Sequence, residues 1–303
     1  MGQGHSHAPP DSRRRLAVVL GLTVTVLVVE VVGAVVSGSL ALLADAAHML
    51  TDVAGLSMAL VVAAIVRRPP SDTHTWGLRR AEVLGAAAQA TLLLAVGGFV
   101  LVEAVRRLDE PAEVTGSAML VFGVVGLLGN VVGMTILAAG GREHHDLNMR
   151  AAYLEVVADA LGSVAVIVAA VLVATTGWDR ADPVASLVIV ALIVPRTLHL
   201  LRETTHVLLE ATPRGLALAD VRARLLAHDH VREVHDLHVS SVATGLPTLT
   251  AHLVVDDSCF HDGHLATLLD QLQAALADDF DVAHSTLQFE RAGHAAHEHD
   301  LHP

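Results

Sequence analysis

The chain has one cysteine, Cys259, in 303 residues. It can therefore form no internal disulfide and no cysteine-based zinc knuckle. Aromatic residues make up only 3% of the composition, so the apolar mass is Val, Leu and Ala, as in membrane helices. Basic surface is also lacking. The formal net charge is −13 with histidine counted as neutral, which argues against a nucleic-acid partner. No HExxH, GxSxG or other catalytic motif occurs. A membrane metalloenzyme would need an open coordination position plus a nucleophile or general base, so the reading is not an enzyme. No cleavable signal peptide is expected. The first eleven residues are polar and include Pro9-Pro10, and Arg13-Arg14-Arg15 precedes an apolar run longer than a signal core.

Hydrophobic residues are abundant, at 53%, and the mean hydropathy of +0.55 is too high for an ordinary soluble domain. Six stretches are long enough to span a bilayer, at 16–36, 40–66, 81–105, 117–139, 151–175 and 183–201. Pro195 is expected to kink or end the sixth. An even number of spans puts both termini on one side, and the arginines assign that side. Arg13 to Arg15, Arg67, Arg68, Arg79, Arg80, Arg142, Arg150 and Arg202 share it. The opposite loops carry Arg180, with Arg106 and Arg107 dissenting. By the positive-inside rule both termini are cytoplasmic, and the expected location is the inner (cytoplasmic) membrane.

From about Glu203 charged residues become frequent and apolar runs shorten. A helix is expected at 220–227 with Asp220 as N-cap, and strands at 231–242 and 248–255 about a turn at Thr244-Gly245-Leu246-Pro247. A second helix at 264–277 places Leu265, Leu268, Leu269, Leu272 and Leu276 on one face, before a last strand at 285–290. That order suits a small α+β domain with both helices on one face of a three-stranded sheet. The divisions are a histidine-containing tail at 1–15, a membrane domain at 16–201, a cytoplasmic domain at 203–290 and a histidine-rich tail at 291–303.

Two short stretches carry the chemistry. His48-Met49-Leu50-Thr51-Asp52 and Glu155-Val156-Val157-Ala158-Asp159 each place two possible metal ligands four residues apart inside an apolar span. On a helix these share one face, about 6 Å apart along the axis. Two such helices face to face could offer one nitrogen and three carboxylates to a divalent cation. Ionisable groups at membrane depth are costly and read as functional. Asp45, three residues before His48, suits either a group that orients the imidazole or a helix-packing group. Glu30, deep in the first span, reads as structural or as part of a proton path, and Asn130 as an interhelical hydrogen bond. The twenty histidines fall mostly in tails, loops and the last third, a composition that reads as metal-contacting.

The stretch from Ser37-Gly38-Ser39-Leu40 through Asp45 and His48 to Asp52 resembles the cation diffusion facilitator family of divalent-metal/proton antiporters. So do Thr73-His74-Thr75-Trp76-Gly77 with Arg80-Ala81-Glu82-Val83-Leu84, Asn148 through Tyr153, Glu155 and Asp159 to Ser163, and His235-Asp236-Leu237-His238-Val239. The likeness is greatest to the zinc-exporting branch and covers nearly the whole chain. It implies six transmembrane helices, a cytoplasmic ferredoxin-like domain and a homodimer. It places the transport site at His48, Asp52, Glu155 and Asp159. The zinc branch typically has histidine where Glu155 stands. An extra oxygen ligand shifts preference toward Mn²⁺ or Fe²⁺, while a tetrahedral N/O site still accepts Zn²⁺.

The resemblance further implies export of Zn²⁺, with Co²⁺ and Cd²⁺ as co-substrates, against protons. No prosthetic group is implied, and the divalent cation is substrate and possible regulator. In the cytoplasmic domain His235, His238, His252, His284 and Glu290 fall at or near positions the zinc branch uses, with His261 and His264 beside Cys259 as possible contributors. Strand alternation puts His235 and His238 on opposite faces. Of a second loop site found in some relatives only His74 has a match, Ser71 and Leu78 standing at neighbouring positions. His144 and His145 resemble a shortened metal-passing loop. A metal-gated channel or sensor, or an uptake system, would use similar ligands.

Overall fold

The computed structural model describes residues 10–65, 71–138, 147–243, 245–282 and 284–294. Six long helices come first: α1 (Pro10–Ser37), α2 (Leu40–Ile65), α3 (Arg80–Asp109), α4 (Gly116–Ala138), α5 (Leu147–Thr176) and α6 (Ala181–Leu208). Bilayer-length apolar stretches lie in α1, α3, α4 and α6, and the described apolar parts of α2 and α5 are Leu40–Thr51 and Ala160–Thr176. Residues divide into two compact units. The first takes Met1–Ala64 and Gly85–Leu201, and the second Ile65–Leu84 and Arg202–Pro303.

Small residues set the helix spacing in the membrane unit, as expected where lipid gives helices no hydrophobic reason to associate. A methyl at Gly116 would lie 2.8 Å from the backbone nitrogen of Ala174, so α4 and α5 approach through bare backbone. Along α1 and α4, Gly33 receives the Phe122 ring, Gly129 receives Val26, and Gly126 receives the fully buried Glu30 carboxylate.

The non-cytoplasmic ends predicted from the sequence are tied by polar contacts. Asp182, fully buried in the first turn of α6, accepts hydrogen bonds from Ser39 Oγ at 2.5 Å, Leu40 N at 2.9 Å and Ala41 N at 3.1 Å. The Leu40 and Ala41 N–H groups are orphan donors of the first turn of α2, and a carboxylate there also meets the positive end of the helix dipole. Arg107 donates to the Gly38 carbonyl at 2.8 Å and pairs with Glu103 at 3.1 Å. The dissenting arginine pair thus includes a charge with a local structural task.

Pro195 neither ends the sixth helix nor marks its boundary, since α6 runs on to Leu208. Proline is tolerated inside membrane helices because neighbouring groups can satisfy the backbone it frees.

The second unit contains α7 (Leu218–Leu226), β1 (Val231–Ala243), β2 (Leu246–Val255), a 3-10 turn (Asp257–Phe260), α8 (Leu265–Phe280) and β3 (His284–Glu290). The sheet order is β1-β2-β3, antiparallel and then parallel. Val221 and Leu225 of α7 and Leu268, Leu272 and Leu276 of α8 share one core with Val234, Leu237, Leu249 and Leu253. Asp220 is not the N-cap. Ala217 occupies that position without a side-chain bond, and Asp220 sits in the first turn, where the dipole still favours its charge. The α2–α3 connection belongs to this unit as well. Arg80 pairs with Glu210 at 2.7 Å, and the Trp76 ring meets His284 edge-on at 4.8 Å.

At one end of this sheet Arg232 donates to both oxygens of Asp256, Nε at 2.6 Å and Nη2 at 2.7 Å, and His230 Nδ1 lies 3.2 Å away. The Arg232 hydrogen bonds hold the Asp256 carboxyl below the usual carboxylate range, against a smaller opposing effect of desolvation. A lowered native value means this pair stabilises the domain above the unfolded carboxylate value, about pH 4, and the contribution fades as pH falls further. Asp256→Asn is therefore expected to lower the melting temperature near pH 6, with the gap from wild type closing toward pH 3. Melting curves of the full-length protein across that range check this.

Candidate metal centres

His48 lies one turn C-terminal to Asp45 on α2, and both are buried, at 8% and 3% exposure. Asp45 Oδ2 accepts a hydrogen bond from Ser163 Oγ of α5 at 3.2 Å. Gly162 makes room for this approach, since a methyl there would lie 3.3 Å from Asp45 Oδ1. The tie sits close to the proposed ligands in both helices. Asp45 is three residues before His48, and Ser163 four after Asp159, so each pair shares a helix face.

Asp45, His48, Gly162, Ile189, Leu192, Ile193 and Arg196 line a cavity of about 30 Å³. Thr51 Oγ1 donates to the His48 carbonyl at 2.5 Å, and Gln89 of α3 donates to the Thr51 carbonyl at 2.5 Å. The turn of α2 between His48 and Asp52 is thus held from two directions. Asp52 lies on α2 and Glu155 and Asp159 on α5. Their side chains fall outside the described residues.

A second centre lies on the sheet face away from the helices. Glu290, 4% exposed, meets His235 Nε2 at 3.1 Å and His252 Nδ1 at 2.9 Å. Among the described residues this is the one group of three or more ligand-type side chains whose ligand atoms all lie within 4.8 Å of one another. Gln288 Nε2 also donates to Glu290 Oε1 at 2.7 Å. Two imidazoles and a carboxylate suit Zn²⁺ and neighbouring transition metals.

His235 and His238 do not point to opposite faces. The register pairs His235 with His252 and His238 with Thr250, three residues against two, so β1 carries a bulge between them. Asp236 takes up the extra residue at φ 47°, a left-handed conformation that Asp tolerates better than most residues. Burial agrees: Val234, Leu237 and Val239 face the core, leaving His235 and His238 together on the other side. Asp236 links His238 to His252, with His238 Nε2 at 2.9 Å from one carboxylate oxygen and His252 Nε2 at 3.7 Å from the other.

His284 is not brought to this group. It pairs with Thr248, four strand positions from Gln288 beside His252, about 13 Å along the strand. His261 is exposed and His264 half-buried against the His230 ring at 5.0 Å. His74 is exposed in its turn and bonded to Thr73 at 3.1 Å. Asn130 is half-buried on α4. His144, His145, the first nine residues and the tail from residue 295 lie outside the described residues.

Sequence reasoning missed Ser163 and Asp236. The first was findable, one helical turn beyond Asp159. The second had no signal, because a bulge has no fixed residue pattern.

Comparison with known proteins assigns the class. The family described as the cation efflux transmembrane domain matches residues 16–209, and that of the cation efflux protein cytoplasmic domain matches residues 213–292. The chain belongs to the cation diffusion facilitator family, as a membrane protein of divalent metal cation efflux with a C-terminal cytoplasmic domain. It is 42% identical over 293 residues to the cation efflux system protein CzcD of Alcaligenes sp. (strain CT14), covering 96% of this chain and 91% of that protein. It is 40% identical to the zinc transporter ZitB of Escherichia coli (strain K12) over 287 residues, 94% of this chain and 90% of that one. A cadmium, cobalt and zinc/H(+)-K(+) antiporter of Bacillus velezensis is 33% identical over 300 residues, 99% and 94% of the two chains.

Proposed function

We propose that this protein exports Zn²⁺, with Co²⁺ and Cd²⁺ as further substrates, from the cytoplasm in exchange for protons. It does so as a homodimer in the cytoplasmic membrane with both termini inside. The metal passes through a site formed by His48, Asp52, Glu155 and Asp159. The observation that carries this reading is the Asp45–Ser163 tie between α2 and α5 at 3.2 Å, beside buried His48 and next to both ligand pairs in sequence. The names of the relatives, a zinc transporter and a cadmium, cobalt and zinc antiporter, support the choice of ion. Metal ligands must shed protons to bind, so cation and proton compete for the same groups, and Glu155 takes the proton-carrying part.

Flux into proteoliposomes tests this with Zn²⁺, Co²⁺, Cd²⁺, Mn²⁺ and Fe²⁺, each with and without a pH gradient. Saturable uptake driven by the gradient and led by Zn²⁺ is expected, with Glu155→Gln lowering it at least about tenfold, of the size found for proton-transfer groups. Undiminished flux in Glu155→Gln removes Glu155 from the mechanism. Preference for Mn²⁺ or Fe²⁺ reassigns the ion, and gradient-independent, non-saturating flux makes the protein a pore.

The sheet-face group would serve as a cytoplasmic metal sensor, with His238 and Asp236 as outer partners of His235, His252 and Glu290. His284 lies too far along β3 to join that ion in the same protomer. Titration of the full-length protein with Zn²⁺ should show a class of site lost in His252→Ala and retained in His284→Ala. Loss in both variants alike would mean that the ion is held differently.

A further inference from the structure

The α6 wall of the membrane cavity has a regular composition until its last member. Ile189, Leu192, Ile193 and Arg196 follow at i, i+3, i+4 and i+7 on one helix face, and all four line the chamber with Asp45 and His48 of α2. Three are aliphatic and the fourth is a guanidinium, the one permanently cationic side chain of the lining among the described residues. Arg196 stands about 22 Å along α6 from Ala181, within a stretch apolar enough to span a bilayer. A charge at that depth is costly and reads as functional. Arg196, itself exposed, shares this chamber with Asp45 and His48, and the ligand pairs read from the sequence on α2 and α5 would add three carboxylates to that of Asp45.

We propose that Arg196 is a charge-setting residue of the transport site. Its fixed positive charge lowers the affinity for the divalent cation and speeds release of that cation. The inference rests on the reading of His48, Asp52, Glu155 and Asp159 as the site. A carrier has to bind its ion tightly enough to load and weakly enough to unload. A cluster of three or four carboxylates around one divalent ion errs toward retention. A cation in the same chamber wall offsets part of that field, since charges interact more strongly at the effective dielectric of a protein than in water. Arginine suits the task better than lysine. It does not deprotonate in proteins, so its charge stays constant while neighbouring groups trade protons for metal.

The experiment uses full-length protein in a His235→Ala, His252→Ala background, so that zinc on the sheet face does not contribute. Zinc affinity per folded molecule and the saturation curve of flux are measured for wild type, Arg196→Gln and Arg196→Lys. Arg196→Gln is expected to bind Zn²⁺ at least about tenfold more tightly and to turn over more slowly at saturating metal, with KM and kcat falling together. Arg196→Lys is expected to stay near wild type when its ammonium is charged. Arg196→Cys in a Cys259→Ser background adds a test on folded protein. A trimethylammonium-bearing thiol reagent should restore wild-type affinity, and a neutral reagent of similar size should not.

Equal affinity in Arg196→Gln and wild type overturns the proposal, as does equal rescue by both reagents. Impairment of Arg196→Lys as severe as that of Arg196→Gln also counts against it, because geometry rather than charge would then be at stake. Failure of the underlying site reading looks different. In that case His48→Ala with Asp52→Ala would leave zinc binding and flux unchanged.

Discussion

Alanine at both Asp52 and Asp159 is expected to bring metal flux in proteoliposomes down to that of protein-free vesicles, a loss of at least about a hundredfold. The double change leaves one imidazole and one carboxylate of the four ligands proposed for the site. Divalent cations in protein sites hold three or four such ligands at about 2 Å, and two do not replace enough of the hydration shell. The charge change matters as much, because removing two anions takes away most of the attraction that draws a divalent ion to membrane depth. The double variant must elute as folded protein, with Asp45–Ser163 still tying α2 to α5. Flux within a factor of a few of wild type would sink the four-ligand reading.

The largest structural effect is expected at Asp182. Its carboxylate takes three donors at the start of α2, all in buried surroundings. Asp182→Ala leaves the Leu40 and Ala41 N–H groups and the Ser39 hydroxyl without that acceptor, where water has little access. Hydrogen bonds to a charged group contribute about 1.5–3 kcal/mol each, and losses within one network are not additive. A net cost on the order of 3 kcal/mol is expected, together with a lower melting temperature and poor recovery of monodisperse protein. Asp182→Asn keeps one acceptor and should lose roughly half as much. An unchanged melting temperature in Asp182→Ala would show that α2 is anchored elsewhere. Because α2 carries His48, the same variant should also lower flux per folded molecule.

The membrane part of the fold was legible because long apolar runs admit few alternatives. Their ends were less so. Pro195 reads as a kink or an end, and α6 does not end there but runs on to Leu208. The cytoplasmic strands and helices came from alternation and turn residues, and their order matched the sheet. Asp220 looked like a cap, and the chain starts α7 at Leu218 instead. The site residues carry a similar lesson. Spacing of four inside an apolar helix is readable directly, and it singled out His48 with Asp52 and Glu155 with Asp159. The relation of His235 to His238 was not readable, because one extra residue in β1 reverses every face assignment beyond it. Asp182 escaped notice because a cap between distant helices leaves no local pattern, whereas Ser163 stands one helical turn beyond Asp159 and could have been found.

The α2–α3 connection groups with the second unit through Arg80–Glu210 and Trp76–His284. The backbone therefore crosses between units three times, and cutting at residue 202 does not separate the two bodies. A chimera that swaps only the C-terminal portion between relatives would pair a foreign β3 with the native Trp76. A transplant that respects the architecture carries the short stretch 65–84 along with everything after 201.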